Sequence, residues 1–337
     1  MKAAIYPGKG QAIVIENLAD PVPGPDEVVI KVHRCGICGT DLSMTKGGTW
    51  QFAAGSQLGH EYAGEIVEVG SQVTDLHVGA RISVLPSPAC GHCAACRSHG
   101  NHVLCQNKPG TAMRGFAEFA CLPANLATML PSTLSMTDGA LIEPLAISLY
   151  GVKFAHIQPG DRVLVLGAGT VALYAIYWAR RLGAGRIVAM SRSDRRRALA
   201  LQMGADAFIA YGPSEVAEVT EALGGAPQVV FEGVGAEGML QKSVQHAAQF
   251  GRIVSLGFCT APDPLIPATG SYKCVSIQFA VGYSMKEFIY IAQQMDKGHA
   301  DPKAIVTREV PLLELPSMMT ALRGANEETK VHVRMTT

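Results

Sequence analysis

Residues 161–182 hold this chain to a narrow choice of folds. Asp161-Arg-Val-Leu-Val-Leu is apolar and short, it runs into Gly167-Ala168-Gly169-Thr170-Val171-Ala172, and a helix-favouring stretch from Val171 to Leu182 follows. This is the G-x-G-x-x-G/A pattern between a strand and a helix, the setting that gives it meaning. The first glycine allows the tight turn, the second lets a pyrophosphate approach the backbone, and a small third residue, here Ala172, packs the helix on the strand. Three small residues without those flanks would carry little weight. Downstream the alternation continues, with strands expected at 186–190, 207–210, 228–232 and 252–257, and helices around Ala198-Leu199-Ala200, 214–223 and 237–248. Strand and helix at such intervals predict an α/β doubly wound parallel sheet. Gly233-Val234-Gly235 and Gly257-Phe258 then fall at the carboxyl ends of strands, where such sheets bind ligand. The expected cofactor contacts are therefore Gly167, Gly169, Thr170, Val171, Ala172, Gly233, Val234, Gly257 and Phe258.

The end of the second strand speaks to which dinucleotide. NAD-binding versions carry an acidic residue there, about twenty residues past the glycines, to accept hydrogen bonds from the ribose. Here the stretch is Met190-Ser191-Arg192-Ser193-Asp194-Arg195-Arg196-Arg197, with no carboxylate at Ser191 and an arginine next to it. Arginines crowded at the start of a helix oppose its dipole and repel one another, a conflict that an anion resolves. The 2′-phosphate of NADP is the anion expected, with Ser191 and Arg192 as nearest partners and Arg196 one turn on. A solvated basic helix face is the competing reading, and NAD the alternative cofactor.

At 337 residues the chain is too long for one ordinary core. The expected division is a catalytic domain over 1–150, a Rossmann domain over 151–282, and a return to the first domain over 283–337. With 48% hydrophobic and 17% charged residues the composition is that of a compact globular protein. Basic and acidic residues both number 28, so no global charge points to nucleic acid or membrane, and phosphate binding must be local. No secretory leader is evident and no apolar stretch is long enough to span a bilayer, so a cytoplasmic protein is expected. Nine cysteines, an odd number and clustered, favour metal ligation over a disulfide framework.

The first 33 residues alternate short apolar runs with Pro and Gly, as do 64–70 and 81–84, which predicts a barrel of short strands with long loops. Residues 115–120 read as a further strand, and an apolar helix is expected from Asp138 to about Ala155. In two of the loops lie Arg34-Cys35-Gly36-Ile37-Cys38-Gly39-Thr40-Asp41 and Gly59-His60-Glu61. A thiolate, an imidazole and a carboxylate suit a catalytic zinc that keeps one position open, with Asp41 placed to orient a ligating histidine. Alone, Cys38 and His60 read more readily as a buried small residue and a structural histidine than as ligands. The glycines around Cys38, and a second cysteine cluster, favour the metal.

That second cluster is Cys90-Gly-His-Cys93-Ala-Ala-Cys96, followed by Cys105, within a lobe at about 86–108. Four thiols at such short spacing predict a closed structural zinc site, leaving His92, His99 and His102 as loop residues. A nucleic-acid zinc ribbon would need a basic face, and only Arg97 and Lys108 lie nearby. Glu143 stands in an apolar helical run, where a carboxylate wants a metal, a metal-bound water or a base. A carboxylate favoured by a helix N-terminus is the alternative.

Taken together, these motifs resemble the zinc-dependent branch of the medium-chain dehydrogenase/reductase family, closest to its polyol and threonine dehydrogenases. The match runs through residues 35–41, 59–65, the four-cysteine lobe, Glu143-Pro144 and the Rossmann segment, nearly the whole chain. The resemblance implies a GroES-like β-barrel domain joined to a Rossmann domain, and two zinc ions per chain. It implies Cys38, His60 and Glu61 as ligands of the catalytic zinc, Glu143 as the acid that holds its water or completes the shell, and Cys90, Cys93, Cys96 and Cys105 around the structural zinc. Thr40 would pass the alcohol's proton outward. Ser43 stands where relatives often carry the last histidine of that relay, and the loop between Cys96 and Cys105 is one residue longer than usual. The activity implied is hydride transfer between NADP(H) and a small uncharged secondary alcohol or polyol and its ketone, in a homodimer or homotetramer, with reactants held in a cleft between domains. The alternatives are an NAD-dependent threonine- or butanediol-type dehydrogenase and a non-catalytic relative of the same fold. Substrate-pocket walls are expected from Thr49-Trp50-Gln51-Phe52 and from residues near 258–285.

Overall fold

The computed structural model describes residues 1–48, 50–298 and 301–335, so Thr49 of the expected pocket wall lies outside the described residues. The chain forms two compact units, Met1–Ala146 with Gly282–Thr337, and Ile147–Val281.

The first unit is built on β1 (Lys2–Tyr6), β2 (Val14–Asn17), β3 (Glu27–Gly36), α1 (Gly39–Met44), β4 (Ser56–Gln57), β5 (Glu61–Val69), β6 (Arg81–Val84), β7 (Phe119–Pro123) and β8 (Ala127–Met129). The ten-residue β3 is its spine, because both edges of that strand are paired along most of its length. On one side lies β5, with Gly36 opposite Glu61. The N-terminal half of the other edge pairs β7, with Lys31 opposite Phe119. The strand expected at 115–120 thus begins at Phe119. Gly115 instead packs where a Cβ would lie 2.7 Å from Cys35 Sγ and 2.8 Å from Tyr62 Cβ, a contact that admits no side chain. Beyond β8, α2 (Met136–Lys153) is buried along nearly its whole length, as its apolar sequence requires.

In the second unit β9 (Arg162–Leu166), α3 (Thr170–Arg181), β10 (Arg186–Ser191), α4 (Arg197–Gln202), β11 (Ala207–Ala210), α5 (Glu215–Leu223), β12 (Val229–Glu232), α6 (Met239–His246), β13 (Arg252–Ser255), α7 (Pro267–Lys273) and β14 (Ser276–Phe279) alternate. The sheet runs β11-β10-β9-β12-β13-β14, parallel throughout, with the order reversing beside β9. Leu164, Leu166, Val188, Met190 and Val230 are buried in one core against α5 and α6, which explains why these strands read as unbroken apolar runs.

The chain then re-enters the first unit as α8 (Met285–Asp296), β15 (Val306–Pro311), α9 (Leu315–Leu322) and β16 (Lys330–Arg334). Strand β16 takes the edge of β3 that β7 leaves free, with His332 opposite Gly36, so β16 flanks the end of β3 that leads into the Cys38 turn. Among the described residues no helix is long and apolar enough to cross a membrane.

Candidate active site

Cys38 sits at the turn between β3 and α1, where it is the helix N-cap. Its Sγ accepts from Thr40 N–H at 3.5 Å, and Asp41 reaches back to accept from Cys38 N–H at 2.9 Å. This reciprocal capping box fixes the thiol's direction. The other oxygen of Asp41, a fully buried residue, faces His60 Nδ1 at 3.4 Å. Burial alone would hold His60 down, but Asp41 and Cys38 outweigh it and raise its pKa well above the ordinary value. The pocket therefore favours positive charge at this point. Thr40 is half-buried, and Ser43, exposed on α1, donates to the Thr40 carbonyl at 3.3 Å.

Glu61, the first residue of β5, lies beside His60, and its carboxylate crosses the face of Gly36. A Cβ on Gly36 would stand 2.0 Å from Glu61 Oε2, so only glycine leaves the path open. On the far side waits Lys330 of β16, whose Nζ donates to both Glu61 oxygens at 2.7 and 2.5 Å and to Ile37 O at 3.1 Å. Both side chains are sealed from solvent, at 1% and 2% exposure. Burial pushes the Lys330 ammonium down, yet Glu61 outweighs it and holds its pKa above the usual lysine value. Lys330 was not expected at the site, because nothing within its own segment marks it.

Glu143 comes from the middle of α2, directly before Pro144, whose missing N–H interrupts the helix ladder there. It is buried at 5% exposure, and its Oε1 accepts from Tyr283 Oη at 2.6 Å. Burial pushes the carboxyl up to about 7, helped by Glu61 and opposed by His60, the Tyr283 hydrogen bond and Lys330. Tyr283 is a second site residue that sequence reasoning missed, although Tyr283-Ser284-Met-Lys-Glu287-Phe288 carries a legible helix-start signal.

Cys38 Sγ, a His60 nitrogen and a Glu61 oxygen all lie within 4.8 Å of one another; Glu143 is not one of the three, but its carboxyl feels the charges of His60 and Glu61. Sulfur, nitrogen and oxygen in this number match three-ligand catalytic zinc sites. His60 Nδ1 and Asp41 Oδ1 are buried and too poorly aligned to hydrogen-bond, so an imidazole turned by a ligand on its other nitrogen would suit both. The residues fit the metal. The lobe fits a second one: the Cys93 and Cys96 sulfurs are 3.3 Å apart and those of Cys90 and Cys96 4.0 Å, with Cys105 inside the same 4.8 Å group. Sulfurs about 3.8 Å apart are what a tetrahedral zinc with bonds near 2.3 Å requires. Backbone N–H groups of Gln106 and Cys96 pull the Cys93 thiol down to about 6, toward the thiolate that binds metal. His92 is turned instead onto Cys90 O at 2.8 Å.

In the second unit the carboxyl end of the sheet gathers the expected dinucleotide contacts. Gly167 has φ +106, and Gly169 caps α3 with open space where its Cβ would stand. That leaves the approach to the N-terminus of α3, at Thr170 and Val171, clear for an anion. Ala172 meets Gly233, where an added Cβ would lie 2.9 Å from Ala172 Cβ, and Gly257 lies as closely against Gly235, 2.2 Å from its nitrogen by the same measure. Val234 and Phe258 remain substantially exposed beside them. Glu232, buried at the end of β12, accepts from Val234 N at 2.6 Å and Gly235 N at 2.8 Å and so fixes this turn.

The arginine cluster is less uniform than its sequence implies. Arg197 is engaged with Asp194 at 3.1 Å and with Phe208 O at 2.8 Å, and Arg196 donates to Ala168 O at 3.2 Å within the glycine turn. Part of the repulsion is therefore answered inside the protein, by an aspartate in the same run. Ser191 is half-buried at the end of β10 and Arg192 is exposed.

A barrel-type unit carrying a zinc-suited Cys-His-Glu set and a parallel sheet carrying a dinucleotide turn define a zinc-binding dehydrogenase. Comparison with known proteins agrees. Residues 24–132 match the alcohol dehydrogenase GroES-like domain and residues 170–297 the zinc-binding dehydrogenase domain. The chain is 31% identical to (R,R)-butanediol dehydrogenase of Bacillus subtilis, over 99% of each chain. It is 28% identical to L-threonine 3-dehydrogenase of Rhizobium etli, over 97% of this chain and 96% of the other. Among solved structures, one described as a zinc-binding dehydrogenase from Sinorhizobium meliloti 1021, bound to NADP, superposes with a TM-score of 0.89 at 31% identity, covering 99% of this chain and 98% of that one. The chain belongs to the zinc-dependent medium-chain dehydrogenase family and is an enzyme of the alcohol dehydrogenase type.

Proposed function

We propose that the enzyme exchanges a hydride between NADP(H) and an uncharged secondary alcohol or polyol and its ketone, with one zinc at Cys38, His60 and Glu61 and a second in the four-cysteine lobe. The observation that carries this reading is the Cys38–His60–Glu61 set with Glu143 beside it. When bound, zinc would supply Lewis acidity to the substrate oxygen, and the nicotinamide would accept or return the hydride. The chain's own residues do the rest. Asp41 orients His60, Lys330 holds Glu61 in place, and Glu143, tethered by Tyr283, is a carboxyl poised to hold or release a proton near neutral pH. The Thr40 hydroxyl, with Ser43 behind it, offers the outward path.

For the cofactor, Ser191 and the exposed Arg192 support NADP, and NADP in the Sinorhizobium structure is in keeping with that. The likeness to the Bacillus butanediol dehydrogenase favours a vicinal diol as one substrate to try first, and the second reading is an NAD-dependent enzyme of that kind or of the threonine type. We place the enzyme in the cytoplasm, where thiol clusters stay reduced. It would act there as a homodimer or homotetramer, to which the outer edge of β14, unpaired among the described residues and with Phe279 exposed, lends itself. The deciding experiment is a panel of alcohols, diols, polyols and ketones run with NADP and with NAD. Oxidation of secondary alcohols with NADP is expected. Turnover only of amino-alcohol substrates with NAD would replace this reading by the second.

A further inference from the structure

Tyr283 is fixed from both sides. On its C-terminal side Ser284 caps α8: its Oγ accepts from Lys286 N–H at 3.2 Å, and Glu287 accepts from Ser284 N–H at 2.9 Å. The Tyr283 ring packs on Phe288, centroids 5.2 Å apart, the hydrophobic staple that sets the angle at which a chain enters a helix. On the N-terminal side Gly282 has φ +82, a conformation that favours glycine. The space a side chain would need there is filled by the loop between Cys96 and Cys105. A Cβ on Gly282 would lie 2.4 Å from Asn101 Oδ1 and 2.8 Å from Val103 Cβ. Asn101 is fully buried, and its Oδ1 accepts from Leu104 N–H at 3.2 Å, closing the turn that brings Cys105 back to the other three cysteines. Next to it Gly100, left-handed at φ +61, lies where a Cβ would be 3.3 Å from Ser284 Cβ.

We propose that the four-cysteine lobe positions the acid of the catalytic centre. Asn101 and Gly100 seat the segment 282–284, the segment aims the Tyr283 hydroxyl, and that hydroxyl holds Glu143. Every contact in this chain lies within one compact unit. Tyr283 and Asn101 are positioning residues: one acts through Glu143, the other through Tyr283. The inference rests on the reading of Glu143 as a working acid, and it gives the lobe a part in turnover besides its part in stability.

The test is a double-mutant cycle on the full-length zinc enzyme, with Tyr283→Phe, Asn101→Ala and the pair. It is read by kcat and KM, zinc per chain, melting temperature, and the visible absorption of protein carrying cobalt in the catalytic site. Tyr283→Phe should lower kcat about tenfold or more, as loss of an outer hydrogen bond to a metal site does. Asn101→Ala should retain both zincs, lower kcat to a similar degree with the KM for cofactor unchanged, and shift the cobalt bands in the same sense. The double variant should be no slower than Tyr283→Phe alone, because residues acting in series are not additive. Should Asn101→Ala shed the lobe metal, Asn101→Ser, which keeps an acceptor, takes its place in the cycle. Multiplying losses in the double variant, or a lower melting temperature with native kcat and a native cobalt spectrum, would overturn the proposal. A protein inactive on every alcohol and ketone would instead refute the proposed function, and the cobalt spectra would still decide this inference.

Discussion

Gly36 shows how much a single residue can carry here. Its missing Cβ is the gap through which Glu61 reaches Lys330, so Gly36→Ala should eject the carboxylate and leave two buried charges unpaired. Breaking one partner of a buried pair costs about 3 to 5 kcal/mol, and chemical denaturation should show a loss of that order. An unchanged midpoint would mean that Glu61 has another route. The glycine was visible in the sequence as part of a motif, but its reason was not, since Lys330 is 269 residues from Glu61 and comes to it only through strand pairing. His332, two residues further along β16, makes a second prediction. It is fully buried, neither ring nitrogen has a hydrogen-bond partner among the described residues, and burial, with Lys330 and Arg34 nearby, pushes its pKa down to about 3. The unfolded chain takes up this proton below about 6.5 while the fold refuses it, so stability is complete above that pH and falls as pH drops from 6.5 toward 3. The slope from this one group approaches 1.4 kcal/mol per pH unit. In His332→Phe the acid limb of a stability–pH curve should be flatter than in the parent by that amount. Parallel limbs would show that His332 accepts its proton inside the fold.

Among the elements, those with local causes were the legible ones. The glycine turn, the apolar strands of the parallel sheet and the four-cysteine spacing each depend on neighbours in sequence, and each stands where its pattern put it. The strand near residue 115 was misplaced because its limits follow from pairing with β3 and from the tight seat of Gly115 against Cys35, which no local pattern records. The start of α8 presents the reverse case: its capping box and staple were readable, but the role of Tyr283 depended on Glu143, 140 residues away. The turn from β10 to α4 carries no carboxylate at Ser191, but its arginines are not an unanswered cluster, since Asp194 pairs Arg197. That narrows the cofactor prediction to Arg192, which makes no hydrogen bond or ion pair among the described residues. A desolvated charge-assisted contact contributes roughly 1.5 to 3 kcal/mol, and solvent at an exposed arginine reduces this. Arg192→Ala should therefore raise the KM for NADP about tenfold, less at high salt, and leave that for NAD nearly unchanged. Ser191→Asp should favour NAD outright, by bonding its ribose and repelling the 2′-phosphate. If the parent uses both cofactors equally well, the cluster is a solvated helix face.

At the scale of the whole molecule, the two kinds of ligand divide between the two units. Both candidate metal groups, Cys38–His60–Glu61 and the four cysteines, lie within residues 1–146, and the dinucleotide turn lies within 147–281. A ligand stabilises the part of a protein whose opening would release it, by about 2.7 kcal/mol at a hundredfold excess over its Kd. Local openings differ across a structure, and amide exchange reads them segment by segment. Saturating NADP should therefore slow exchange in β9, β10 and β12 and in the N-terminal turn of α3. Removing metal with a chelator should instead speed exchange in residues 86–108, in α1 and at the start of β5, with little change in the parallel sheet. Release of two zinc ions per chain should accompany it, and Cys93→Ser should begin with one. The C-terminal segment is the sharper part of this prediction. Although it follows the parallel sheet in sequence, α8 and β16 belong to the first unit, through the seat of Gly282 against Asn101 and the pairing of β16 with β3. Their exchange should respond to the chelator and not to the nucleotide. A C-terminal segment that follows NADP instead would show that its stability is set by its neighbours in sequence, and not by the strand it joins.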